Sequence, residues 1–192
     1  MALLVLGLVL FIGVHSIRVV AAPWRAAQIE RFGVRAWRGV FALASILGIV
    51  LIVVGYGLAR RYPVPVWLPP RGMAHLTGLL TAIAFVMLTA AYVPGNHIKR
   101  ALGQPFVSGV ALWAFAHLLA NGTLHAMLLF LVFLVWSLVE VRAGRRRDRE
   151  AGVVYTPGSF ARDGLTVVIG LVAWAIFAFW LHGPVIGVRP FG

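Results

Sequence analysis

Cysteine is missing from this 192-residue chain. Its absence excludes disulfides, thiolate nucleophiles, iron–sulfur clusters and thiolate zinc sites, and leaves the redox compartment undetermined. Acid is scarce as well, with five Asp and Glu against 17 Lys and Arg for a net charge of +12. Charged residues of both signs make up only 11% of the chain and hydrophobic residues 61%, whereas a soluble domain carries about a quarter charged residues. Too little polar surface remains to cover a water-facing globule, so the chain reads as an all-α integral membrane protein. In a soluble protein the basic excess would suggest nucleic acid. Here the charges cluster beside apolar runs, which points to anionic lipid headgroups as the partner and to no nucleic acid.

The longest stretches free of Asp, Glu, Lys and Arg cover 1–17, 39–59, 72–98, 101–139 and 164–188. A spanning helix needs roughly 20 apolar residues, so 101–139 is about right for two spans. Asn121-Gly122, near its middle, offers the turn. The expectation is a bundle of six transmembrane helices over 2–20, 39–59, 73–93, 104–121, 123–141 and 164–182, forming a single domain, 1–192. Of the 17 basic residues, 13 lie within 18–38, 99–100, 142–149 and 162, and four are Arg60, Arg61, Arg71 and Arg189. The positive-inside rule makes the first set cytoplasmic and puts both termini on the outer (periplasmic) side. Ala21-Ala22 imitates a signal-peptide cleavage site, but the basic residues follow the apolar run instead of preceding it, so 2–20 is kept as a helix.

Within the second span, Ala44/Gly48 and Gly55/Ala59 are small-xxx-small pairs suited to close helix packing. Asp163-Gly164 reads as the N-cap and start of the last span. The segment RAGRRRDRE at 142–150 reads as a stop-transfer anchor on anionic lipid, ahead of a docking site for an acidic partner.

Six histidines remain: His15, His75, His97, His117, His125 and His182. An intramembrane ionisable side chain is a functional hypothesis by default. His97, in PGNHIKR, reads instead as an interfacial residue bonded to water or backbone, and His125 and His182, near outer span ends, lean the same way. His15 lies well inside the first span. His117 shares a helix face with Trp113 and Asn121, each four residues away. That stripe suits interhelical hydrogen bonding, or equally a ligand, an aromatic wall and an orienting amide around a cofactor. Without Cys or a paired intramembrane carboxylate, zinc and di-iron sites lack their usual ligands. Imidazoles from two helices suit haem b, and four Met residues keep a His/Met variant open. Depth alone pairs His117 with His75, because His15 falls about 20 Å below the outer end of its helix.

The segments GVHSIRVV (13–20), IERFGVRAWRGVFALAS (29–45), ARRYPVPVWLPP (59–70), IKRALGQPFVSGVALWAFAHLLANG (98–122) and WLHGPVIGV (180–188) together resemble the NnrU family of bacterial membrane proteins. More distantly, the chain is similar to the zeta-carotene isomerases. The resemblance implies a multi-pass protein of the bacterial inner (plasma) membrane. It links the chain to nitrite and nitric oxide metabolism in denitrification, or to haem-dependent cis–trans isomerisation of a lipophilic polyene. It also implies haem b with His15 and His117 as axial ligands and His75 in reserve. Under that reading Trp113 walls the pocket, and Arg18 and Arg38 pair with haem propionates or, equally, with lipid headgroups. Two departures stand out. Gly103-Gln104-Pro105 replaces an Arg-His-Pro element, and Ala114 occupies the place of a Cys one turn before the second ligand, which removes any thiolate ligand exchange. The competing reading is a non-enzymatic membrane accessory or assembly factor for a respiratory or denitrification complex. Transport ranks below both, because Glu140 is its one acidic candidate and sits at the inner boundary.

Overall fold

In the computed structural model, residues 1–191 are described, and they form helices joined by short connections with no strand among them. The helices are α1 (Ala2–Val20), α2 (Ala22–Ala59), α3 (Met73–Ala90), α4 (His97–Leu102), α5 (Pro105–Ala120), α6 (Leu124–Glu150), α7 (Phe160–Ile176) and α8 (His182–Ile186). Among the described residues α1, α2, α3, α6 and the run Phe160–Ile186 are long and apolar enough to cross a membrane. Helix α5 is apolar but has 16 residues, about 24 Å of rise against a hydrocarbon core of roughly 30 Å. The chain is therefore a multi-pass, all-helical membrane protein.

Contacts divide the chain into two compact units. The smaller is Met1–Trp67 with Thr123–Val132, and the larger is Leu68–Gly122 with the chain from Phe133 onward.

The smaller unit is built on α1 and α2. Gly48, Ile52, Gly55 and Ala59 are the buried residues of α2, and their 4-3-4 spacing makes a coiled-coil-like seam. Opposite them lie Leu4, Gly7 and Leu8, buried on α1. The glycines let backbones touch. A Cβ on Gly7 would lie 2.6 Å from the Ile52 nitrogen, and one on Gly55 would overlap the Leu4 nitrogen. Lipid tails are as apolar as Leu, so close packing rather than apolar burial has to drive this pairing. The outward residues Val40, Leu43, Leu47 and Val54 are exposed, as a lipid-facing surface requires. At the other end of the unit, the Leu124 nitrogen donates to the Val64 carbonyl at 2.8 Å. His125 is buried there with its ring edge on Tyr56, 5.0 Å away.

Helix α2 begins 17 residues earlier than the expected span, since 22–38 is helical instead of a loop. Pro23 supplies the N-terminal start. A straight helix of 38 residues would run about 57 Å. Gly33 interrupts it with φ +82° and ψ 155°, a conformation open essentially to glycine alone. Before the break lie Trp24, Arg25 and Arg31. Arg25 packs over the Trp37 ring at 5.7 Å and Trp24 meets Trp37 edge-on at 5.8 Å, the amphipathic chemistry of a headgroup-level segment.

In the larger unit α3 packs against both α5 and α7. Its contact face is small: Gly78, Thr81, Ala82, Ala84 and Ala90 are buried. A Cβ on Gly109 of α5 would lie 2.9 Å from the Ala84 carbonyl oxygen, and one on Gly170 of α7 would lie 2.7 Å from the Val86 Cα. Two polar bonds set the register. Thr77 Oγ1 donates to the Ala116 carbonyl at 2.9 Å and Trp174 Nε1 donates to Thr81 Oγ1 at 3.0 Å. After Ile176 the helix passes through a π-helical turn, Phe177–Leu181, before α8.

The last span starts earlier than Asp163-Gly164. Ser159 is the N-cap, its side chain accepting from the Arg162 nitrogen, and Asp163 is occupied elsewhere. Its carboxylate accepts both the backbone N–H of His97 (2.7 Å) and His97 Nδ1–H (2.6 Å). His97 is thus clasped by an acid 66 residues away and not simply bonded to water or backbone. It is also the first residue of α4, which the buried Asn96 caps by accepting from the Lys99 nitrogen.

Candidate functional site

In the smaller unit His15 is half-buried on α1, and its Nδ1 donates to the Phe11 carbonyl at 2.7 Å. The ring stacks on Phe11 at 4.1 Å and lies 4.9 Å from Phe41 of α2. Arg18 and Arg38 follow one turn toward the basic end, three residues beyond His15 on α1 and three before Phe41 on α2, and both are exposed. The structure therefore brings His15, Arg18 and Arg38 to one end of the α1–α2 pair.

The larger unit repeats the arrangement. His117, in the last turn of α5, donates from Nδ1 to the Trp113 carbonyl at 2.8 Å, and the two rings lie 5.0 Å apart. Trp113 packs in turn edge-on against Phe133 at 5.8 Å. Both histidines thus follow one pattern, in which an aromatic residue four positions earlier offers its carbonyl to Nδ1 and its ring to the imidazole. A carbonyl cannot donate, so the proton sits on Nδ1, and Nε2 of the neutral ring carries the lone pair. Metal-ligating imidazoles are ordinarily held in this way, through the ring nitrogen that does not bind the metal.

Asn121 plays a different part from an orienting amide. Its Nδ2 donates at 2.8 Å to the His117 carbonyl, which closes the end of α5 with Asn121 in an extended conformation. The imidazole itself is oriented by Trp113. The bond from Thr77 to Ala116 sets the first turn of α3, carrying His75, level with the last turn of α5, carrying His117. His75 is exposed, and its ring stacks at 6.5 Å on Phe191. His182 lies within electrostatic reach of His117. It shows the same kind of orientation, with Nδ1 donating to the Val188 carbonyl at 2.6 Å and the ring 5.7 Å from Phe177. Sequence reasoning set His182 aside as interfacial. The signal that could have raised it is the aromatic run FAFWL ahead of it. Among the described residues no three His, Asp or Glu side chains converge to hold a metal ion by themselves.

The donor set nevertheless fits haem b. The porphyrin brings four nitrogens of its own and would need from the protein only imidazole donors, for which a ring with a bonded Nδ1 is suited, and apolar or aromatic walls. Phe11, Phe41 and Trp113 stand beside the two rings.

A second polar cluster lies at the basic end of the larger unit. Tyr155 donates to Asp148 at 2.6 Å and lies 3.1 Å from the Gly103 carbonyl. Gln104 also donates to Asp148, and its side chain packs on Gly144, where a Cβ would lie 2.6 Å from Gln104 Cδ. Burial, and then the Asp148 carboxylate, push the Tyr155 phenol from its ordinary 10.0 up to about 12. The folded protein therefore holds this proton after the unfolded chain has lost it. Its contribution to stability is complete below pH 10 and disappears as the pH rises toward 12. Tyr155→Phe is expected to remove one of four tyrosinate transitions from the ultraviolet titration near pH 12, and to flatten the loss of thermal stability between pH 10 and 12.

No curated protein and no solved structure gives a significant match to the chain. The family model described as NnrU protein matches residues 3–190, which takes in both units and every histidine discussed above. On that match, the chain belongs to the NnrU family.

Proposed function

We propose that this protein is a haem b-binding membrane protein, with His15 of the smaller unit and His117 of the larger unit as the candidate iron ligands. One observation carries the reading: two intramembrane imidazoles, one in each unit, are held alike, with Nδ1 committed to the carbonyl four residues earlier. Bound haem would offer a small ligand a place at iron once one of the two imidazoles gave way, because the porphyrin and both histidines together would leave none open. The protein's own residues orient the two Nε2 atoms, wall them with Phe11, Phe41 and Trp113, and offer Arg18 and Arg38 for propionates. His75, level with His117, is the reserve ligand.

Of the two chemistries, a nitrogen oxide is the better ligand class. Ala114 is fully buried at 0% exposure and puts a methyl group where a thiolate would be needed for ligand exchange, which disfavours polyene isomerisation and leaves gas coordination untouched. Protein purified in detergent from cells fed a tetrapyrrole precursor is expected to give about one haem b per chain by pyridine haemochrome. A colourless preparation overturns the reading.

The topology belongs to the same proposal. Helix α5 serves as the sixth span, the arginine-rich ends face the cytoplasm of a bacterial inner membrane, and both termini face outward. An alkaline phosphatase fused at the C-terminus is expected to be active, and one fused after Gly152 inactive. The reverse pattern overturns the orientation.

A further inference from the structure

The basic end of the larger unit contains a cavity of about 510 Å³, bounded by the end of α4 and the last turns of α6 and lined by Arg100, Arg145, Arg149, Gly103, Asp148 and Tyr155 among others. That volume is in the range of small-ligand sites. Its charges are arranged unusually. Asp148 sits among three arginines, yet its carboxylate takes its hydrogen bonds from two neutral donors, the Tyr155 hydroxyl and the Gln104 amide. Among the described residues the ion pairs of α6 engage Arg146 with Glu150 and Arg147 with Glu140, and none engages Arg100, Arg145 or Arg149. Arg145 is positioned by its Nε, which donates to the Leu102 carbonyl at 3.1 Å. That bond fixes the guanidinium plane while leaving its terminal nitrogens to other acceptors. Three cations and one internally satisfied acid leave the pocket with a net charge of +2.

We infer that this cavity is a binding site for a phosphoryl oxyanion, gripped by the guanidinium groups of Arg145, Arg149 and Arg100. Guanidinium forks match phosphate oxygens in charge and in bidentate geometry. A basic pocket at the end of a transmembrane helix lies at the depth of lipid phosphates. A lipid headgroup and free phosphate present the same chemistry, so the experiment separates them. The site does not depend on haem. It differs from a diffuse basic surface in that Arg100, Arg145 and Arg149 line one cavity.

The test follows thermal unfolding of the full-length protein in non-ionic detergent by tryptophan fluorescence. Dihexanoyl phosphatidylglycerol is titrated in one arm and inorganic phosphate in the other. A saturable rise of the midpoint by about 3–5 °C is expected with the lipid. It should vanish in Arg145→Gln/Arg149→Gln, persist in Arg31→Gln/Arg35→Gln, and need about tenfold more lipid in Arg149→Gln alone, which covers the case in which the double variant does not fold. The same variant-sensitive rise with inorganic phosphate would assign the site to the free anion. No rise in either arm, a rise that survives the pocket substitutions, or equal loss in both double variants overturns the inference.

Discussion

His117→Ala is expected to reduce haem retained through purification at least tenfold, with the Soret band falling in proportion. The imidazole is the only side chain of the last turn of α5 that brings a lone-pair nitrogen fixed in direction by its own helix, through the Trp113 carbonyl at 2.8 Å. Losing that bond costs the fold about 1 kcal/mol, and losing the ring's contact with Trp113 adds to it, so the yield of protein in the membrane is measured beside the haem. This separates loss of a ligand from loss of the protein. His15→Ala is expected to behave alike, because its Nδ1 is committed to Phe11 in the same way. His97→Ala should keep full haem, since that ring is spoken for by Asp163. If His117→Ala and His15→Ala both retain haem while His75→Ala loses it, the ligand assignment moves to the reserve residue. If all three retain it, imidazole ligation by these residues is wrong.

Gly55→Val should be the most damaging single substitution in the smaller unit. The added Cβ would meet the backbone of Leu3 and Leu4, and backbone cannot rotate away as a side-chain end can. Overpacking a well-filled interior typically costs 1–3 kcal/mol, and a clash between two main chains belongs at or above the top of that range. Here α1 must lift from α2, which exposes the whole Leu4–Leu8 face. The control is Gly57→Val, two residues on, where nothing lies within 4 Å of the added Cβ. Size-exclusion profiles after heating in detergent should show Gly55→Val aggregating about 10 °C or more below wild type and Gly57→Val within a few degrees. Equal behaviour of the two would mean that the seam does not hold the helices together.

The hydrophobic and basic pattern made much of the fold legible in advance. Five of the six expected spans appear as helices of sufficient length, and the small pair Gly55/Ala59 lies buried in the seam. What escaped has identifiable causes. The early part of α2 does not stand out as a helix in the sequence because Arg25, Glu30, Arg31 and Arg35 break every apolar run there, and an amphipathic helix at headgroup level has no charge-free stretch to mark it. Helix α4 leaves little trace in the sequence, because six residues carry too little periodicity. The His97–Asp163 clasp and the Asp148 cluster join residues 66 and 44 positions apart, and no local pattern encodes such partners. For the histidines, sequence supplied Trp113 as a neighbour of His117, but not that its carbonyl rather than Asn121 sets the ring.

The π-helical turn at Phe177–Leu181 holds one residue more than an α-helical path would need. Each residue turns the chain by about 100°. Deleting one residue between Phe177 and His182 would return the stretch to ordinary winding and rotate His182, together with the Val188 carbonyl it reaches, by that angle about α7 and away from the Phe177 ring. In this stretch, then, chain length is under tighter restraint than side-chain identity: the tail should accept an exchange of one apolar residue for another far more readily than the loss of a single codon.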